Sequence, residues 1–149
     1  MSLAGNENGN AAAIFCETLP QHALSWINIE VLNLDQNQLT DAHLSHFAKM
    51  RFCKLKSLDL RDNLITDEGA LTLIKGMLLK NLEDLNLWGN EIKKYKTAIL
   101  LMKNTNWGSL KTFNLSYEKL AIEKLRTIKS FQQQESLPAY HISVRMFMS

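Results

Sequence analysis

At 149 residues, 46% of them hydrophobic and 21% charged, the chain is long enough to bury a continuous core and too apolar to be disordered. Its net charge of +2 is too small to argue by itself for nucleic acid or an anionic membrane as partner. No apolar run approaches the roughly 18 residues of a membrane span, and Met1 to Asn8 has neither the basic start nor the apolar core of a secretory signal; a cytoplasmic site is the default expectation.

The first residues, Met1 to Asn6, fit slots that recur further along, with Leu3-Ala4-Gly5-Asn6 in the places of Leu34 to Asn37. The chain therefore starts inside a repeat, as a shortened first coil or as part of a longer array. Ala11 to Leu19 is expected to form that coil's helix, with Asn10 as its N-cap and Pro20 as its stop. From Ile29 the spacing becomes regular. Ile29, Leu32, Leu34, Asn37 and Leu39 are followed by Leu55, Leu58, Leu60, Asn63 and Ile65, then by Leu82, Leu85, Leu87, Asn90 and Ile92. A fourth copy runs through Leu110, Phe113, Leu115 and Leu120, with Glu118 in the asparagine slot. The fifth is degraded: Leu137, Tyr140, Ile142 and Phe147, with Arg145 in that slot. First positions recur every 26 to 28 residues, and each copy has the same internal pattern.

Within a copy the hydrophobic period switches. Leu58 and Leu60 alternate as in a short strand, whereas Ile65, Ala70, Leu73, Ile74 and Met77 recur at helical spacing. Thr66-Asp67-Glu68 places a capping residue and acids where the helix dipole favours them, and Thr40-Asp41 does the same before Leu44, Phe47 and Ala48. Leu120, Leu125, Ile128 and Phe131 form the corresponding stripe of the fourth copy. Trp26, Phe52, Leu79 and Trp107, three residues before each first leucine, are expected to close the helix back onto the strand as core. The asparagines at the strand-to-helix corner can both donate and accept, satisfying buried backbone of their own coil and the next.

The motif L-x-x-L-x-L-x-x-N-x-L, and above all Asn37 to Asp41 and Asn63 to Asp67, resembles leucine-rich repeats of the ribonuclease-inhibitor type. The likeness spans nearly the whole chain and implies one α/β domain over residues 1–149: about five repeats plus a partial first one. The implied architecture is a solenoid of right-handed strand-helix coils. Strands about 4.8 Å apart and helices about 8–10 Å apart curve such a stack, with the parallel sheet on the concave face. The resemblance also implies an intracellular protein-binding scaffold. Glu118 and Arg145 depart from the asparagine pattern, and neither end shows a recognisable polar cap, which opens a route to self-association through uncapped terminal repeats.

Function is sought at the variable strand positions. Across four copies they hold six acids, Glu30, Asp35, Asp59, Asp62, Glu83 and Asp84, against three bases, Lys56, Arg61 and Lys111. The face is net acidic in a chain that is net basic. Lys93, Lys94, Lys96, Lys119, Lys124 and Lys129 lie on or beside helices instead. A basic protein partner complements the acidic face, and nucleic acid and membrane are not expected as partners. Trp88 stands in a column otherwise filled by Asp35, Arg61 and Ser116, which implies a solvent-facing aromatic and a binding anchor. Tyr117 extends the patch, and Asp59, Arg61, Asp62, Asp84, Asn86 and Asp35 surround it.

Catalytic signatures do not appear. His22, His43, His46 and His141 are scattered, and His43 and His46, one helical turn apart, have only Asp41 near them as a third ligand. There is no glycine-rich phosphate loop and no nucleophile with a positioned base. No enzymatic activity, cofactor or metal is expected. Cys16 and Cys53 form no ligand cluster and are expected to be buried thiols of a reducing compartment. The principal reading is a non-catalytic interaction module that binds a protein through the concave sheet face. The alternative is a sensor or substrate-docking fragment of a larger signalling or regulatory protein or enzyme.

Overall fold

The computed structural model describes residues 1–2, 4–5, 27–50, 52–76, 80–103, 109–115 and 141–143. Five short strands, β1 (Val31–Asn33), β2 (Ser57–Asp59), β3 (Asp84–Leu87), β4 (Thr112–Leu115) and β5 (His141–Ser143), form one parallel sheet in chain order. Between them lie α1 (Asp41–Phe47), α2 (Asp67–Gly76) and α3 (Tyr95–Met102). Each strand pairs with the next coil's strand, and α2 packs against both α1 and α3. The result is the α/β solenoid implied by the repeat.

The strands are short because each needs only enough length to send two leucines inward. Leu32 and Leu34, Leu58 and Leu60, Leu85 and Leu87, and Phe113 and Leu115 are all buried. The next apolar residue past the corner, Leu39, Ile65 or Ile92, is buried too, and the helices add Leu44, Phe47, Ala70, Leu73, Ala98 and Leu101 to the same core. Full burial of a leucine contributes about 1.5–3 kcal/mol, so the repeated motif is itself the main source of stability. Phe52 is buried as expected, its ring centroid 4.8 Å from that of Phe47. Trp26, Leu79 and Trp107, the helices expected at 11–19 and 120–131, and Glu118 and Arg145 lie outside the described residues.

Register follows the repeat from β1 to β4, with Leu32 opposite Leu58, Leu58 opposite Leu85 and Leu85 opposite Phe113. The fifth coil departs from expectation. Ile142 lies opposite Phe113, not opposite Leu115 as the motif alignment has it. The strand has slipped by two residues. Such a slip preserves the inward-outward alternation, so hydrophobic patterning does not oppose it, and the degraded fifth copy has no corner asparagine to select between the two registers. At the other edge Ser2 bridges to Asn33, and the Met1 ammonium donates to Val31 O at 2.8 Å. Gly5 N–H donates to Asp35 O just as Gln36 N–H donates to Arg61 O one coil later, so Met1, Ser2 and Gly5 sit in the slots the motif assigns them.

The corner asparagines form a ladder. Asn63 Oδ1 accepts from the backbone N–H groups of Asn37 (3.1 Å) and Leu39 (2.9 Å). Its Nδ2 donates to Leu34 O, Leu60 O and Arg61 O at 2.9–3.0 Å. Asn90 repeats the arrangement on Ile65 N–H, Leu60 O and Leu87 O. The coil served besides their own is thus the preceding one, not the next as expected. The chain leaves the sheet after the second leucine, and the exposed backbone of the earlier coil is what the later asparagine reaches. The residue before each corner asparagine adopts the left-handed conformation: Gln36 (φ 55°), Asp62 (φ 50°) and Gly89 (φ 72°), with Gly5 (φ 71°) in the same slot of the partial coil before them.

A second ladder runs along the helix starts. Asp41 accepts from Thr66 N–H (2.8 Å) and Thr66 Oγ1 (2.6 Å), so its carboxylate caps α2 of the following coil. Asp67 accepts from Lys93 N–H (3.2 Å) and Lys94 N–H (2.9 Å) at the start of α3. Each acid neutralises the positive end of the next helix as well as its own. Gly69 is required here, because a Cβ on it would lie 2.1 Å from Asp41 Oδ1. The third coil has Lys94 where the others have Asp41 and Asp67, so the relay ends there.

Candidate functional site

The outward positions of the strands make an exposed face arranged in rows across the sheet. The first row, Glu30, Lys56, Glu83 and Lys111, alternates in sign, and its members pair in twos: Lys56 Nζ lies 2.9 Å from Glu30 Oε2, and Lys111 bonds to Glu83. The Lys56 hydrogen bond and charge hold the Glu30 carboxyl below its usual range, and Glu30 in turn raises the Lys56 ammonium. Lys111 lowers Glu83 in the same way. These bases neutralise acids of their own row and so are not the free cations of a binding surface.

The next row, Val31, Ser57, Asp84 and Thr112, follows directly from the strand pairing. Asp84 is exposed, and its carboxylate accepts from Thr112 Oγ1. Val31 is an apolar exception at 52% exposure. In the third row, Asn33, Asp59 and Asn86 share one task. Each side-chain oxygen accepts the backbone N–H two residues on, from Asp35 (2.9 Å), Arg61 (3.0 Å) and Trp88 (3.1 Å) respectively. Those turns lead the chain out of the sheet and fix the direction of the fourth row. Sequence reasoning treated Asp59 and Asn86 only as surround. The signal that would have found this role is the recurrence of Asn or Asp at that slot, including Asn114 in the fourth copy.

The fourth row is Asp35, Arg61 and Trp88. Here the expected solvent-facing column is corrected. Asp35 is only 6% exposed, because Arg61 reaches back across the coil boundary and covers it. Arg61 Nε lies 3.1 Å from Asp35 Oδ1, and Nη2 bonds to Oδ2, a bidentate pair. The bond to Asp35 raises the Arg61 guanidinium further above its already high value, with Asp59 and Asp62 adding to it. Arg61 Nε also lies 3.5 Å from Asp62 Oδ2. Trp88 is half-buried, its indole nitrogen shielded from solvent, so the ring is partly seated and partly presented. Gly89 permits this: a Cβ there would lie 1.8 Å from Asp62 Oδ1, so Asp62 packs directly on the turn that carries the indole.

The structure therefore gathers Asp59, Arg61, Asp62, Asn86 and Trp88 into adjoining rows of neighbouring strands, with Asp84 at the other end of β3. Asp35 belongs to the support of Arg61 rather than to the surface, and Tyr117 lies outside the described residues. Among the described residues no group of three or more His, Cys, Asp or Glu side chains is arranged to hold a metal ion. His43 instead accepts the Thr40 N–H at Nδ1 (3.0 Å) at the start of α1. Cys53 is exposed, contrary to the buried thiol expected, because Phe52 and Leu55 on either side of it take the core positions of that turn. Among the described residues no helix is long and apolar enough to cross a membrane.

Comparison with known proteins agrees with this geometry. Two leucine-rich repeat family models match the chain, one over residues 28–50 and the other over residues 53–73. No curated protein matches it. Among solved structures it is similar to leiomodin-1 actin-binding site 2, at 20% identity and a TM-score of 0.62, over 90% of this chain and 78% of that one. At that identity the likeness concerns the fold. The recurring strand-corner-helix coil and the asparagine ladder, together with both family matches, make this chain a leucine-rich repeat protein.

Proposed function

We propose that the chain is a non-catalytic protein-binding module whose partner docks on the exposed face of the parallel sheet, with Trp88 as its anchor. The observation that carries the reading is a half-buried tryptophan whose neighbours on the face, Asp59, Arg61, Asp62 and Asn86, are all charged or polar. Large aromatics partly seated and partly presented lose little side-chain entropy on binding and are enriched among interface anchors. Asp59, Asp62, Asp84 and Asn86 supply a polar surround. With Glu30, Asp35 and Glu83 already matched by Lys56, Arg61 and Lys111, the acids left over are Asp59 and Asp84, with Asp62 sharing Arg61. That remainder favours a partner whose contact surface is basic.

Filamentous actin is the first partner to assay, since the similar solved structure is named as an actin-binding site; affinity capture from a native lysate supplies others. In co-sedimentation, and then in calorimetry with the captured partner, Trp88→Ala is expected to weaken binding by about 2 kcal/mol or more while the chain stays folded by circular dichroism. A folded variant that binds its partner as the wild type does would remove Trp88 from the interface.

A further inference from the structure

The helical side of the third coil differs from its neighbours. At the helix start the first two coils read Thr40-Asp41 and Thr66-Asp67, but the third reads Lys93-Lys94. The first turn of α3 has no acid of its own, and Lys93, Lys94 and Lys96 are all exposed. The buried Asp67 carboxylate takes the backbone N–H groups at this helix start, while the Lys93, Lys94 and Lys96 side chains around it are exposed. Lys93 lies 3.5 Å from Glu91, both well exposed, while Lys94 and Lys96 make no ion pair among the described residues. One turn beyond Lys96 stands Leu100, at 51% exposure one of the few large apolar side chains left bare. The same molecule carries the complementary surface. On the sheet, Asp59 and Asp84 make no ion pair among the described residues, and both are on strands next to or bearing the turn that presents Trp88.

We propose that a second copy of this chain docks its sheet face, through Asp59, Asp84 and Trp88, on the Lys93, Lys96 and Leu100 face of α3. Each surface has an apolar side chain near charges, and the charges that make no ion pair among the described residues are opposite in sign: Asp59 and Asp84 on the sheet, Lys94 and Lys96 at α3. Because the two patches are different parts of one chain, the contact is head to tail. It leaves one free patch at each end and propagates, rather than closing into a symmetric dimer. Bringing ammonium groups and carboxylates together in the partly desolvated contact strengthens their attraction over that between exposed ions, and salt weakens it. The inference rests on the sheet-face reading of function, and it adds that self-assembly and partner binding compete for Trp88.

Sedimentation velocity over a concentration series tests it. At low salt the weight-average mass of the wild type is expected to rise with concentration above the 17.0 kDa of one chain, and to return to it at about 0.5 M salt. One variant, Asp59→Asn with Asp84→Lys, keeps the turn acceptor at residue 59 but removes the acidic patch. A second, Lys93→Glu with Lys96→Glu, reverses the basic one. Both positions lie on the surface, and unchanged thermal melts establish that each variant folds. Each alone is expected to stay at the mass of one chain. Mixed in equal amounts they retain one intact patch apiece and should form a complex of two chains that grows no further. A wild type that remains monomeric throughout, a variant that still assembles alone, or a mixture that does not associate would each overturn the proposal. The second variant, monomeric with its sheet face intact, also keeps the two readings apart. Undiminished capture of the partner by it shows that the binding reading stands even if self-assembly fails.

Discussion

Asn63→Ala is the sharpest test of the corner ladder, because its cost can be worked out group by group. Removing the side chain takes the Oδ1 acceptor from Asn37 N–H and Leu39 N–H, and the Nδ2 donor from Leu34 O, Leu60 O and Arg61 O. Two of those carbonyls keep a partner. Leu60 O still accepts from Asn90 Nδ2, and Arg61 O still accepts from Gln36 N–H. Three groups therefore lose their bond to Asn63 with no replacement from the ladder, in a place where the side chain itself is only 4% exposed. At about 1 kcal/mol or slightly more for each buried group stripped of a partner, the loss is about 3–4 kcal/mol. For a chain of this length that is a fall in melting temperature on the order of 6–15 °C. Asn90→Ala is the internal control. It removes an acceptor from Ile65 N–H and a donor from Leu87 O, while Leu60 O keeps Asn63 and Trp88 O keeps Asp62 N–H. Asn90 is also only half-buried, so water can replace part of what is lost. About 1–2 kcal/mol is expected there. Thermal melts of both variants decide the matter: equal losses, or a larger loss at Asn90, would refute the group-by-group argument.

The helix-start ladder makes two further predictions. Gly69→Ala on its own should destabilise the chain, because the new Cβ displaces the Asp41 carboxylate from Thr66; in an Asp41→Ala background only Ile65 Cγ2 at 3.1 Å stays close, the helix preference of alanine over glycine (about 1 kcal/mol) works against that contact, and the same change should cost much less. A denaturation cycle over the four chains reads this coupling, and a Gly69→Ala effect that is the same in both backgrounds would count against the contact. Asp67 concerns pH. Burial pushes its carboxyl up, but the bonds from Thr97, Lys94 N–H and Lys93 N–H, with the Lys94 charge, outweigh burial and hold it below the ordinary 3.8. A depressed folded-state value contributes stability above pH 3.8 that is lost as pH falls through the folded value, so the gap in melting temperature between the wild type and Asp67→Asn should narrow on acidification below that pH. A gap that widens on acidification would reverse the assignment.

The periods of this chain were legible because they are local. Alternation at Leu58 and Leu60, helical spacing from Ile65 to Leu73, and an asparagine where the backbone turns are properties of a few consecutive residues. Their repetition then predicts parallel strands in chain order. Most of the outward-facing positions were legible too, Trp88 among them. What could not be read locally are the interactions between residues one coil apart in space and about 26 residues apart in sequence. The acids Asp41 and Asp67 were expected only to suit the dipoles of their own helices, and only stacking makes them caps of the next. Asp35 looked like a surface residue, and only the reach of Arg61 across the coil boundary buries it. Cys53 was expected inside, yet its turn has two core positions and Phe52 and Leu55 fill them. The register of β5 is the limiting case, since a slip of two residues leaves the hydrophobic pattern intact and pairing with β4 alone selects between the alternatives. Sequence by itself determined the coil, its order and its inward face, because burial acts on each residue according to its own side chain. Tertiary structure decided which polar groups meet, because hydrogen bonds and ion pairs depend on a distance and an angle between residues that only the stacked coils bring together.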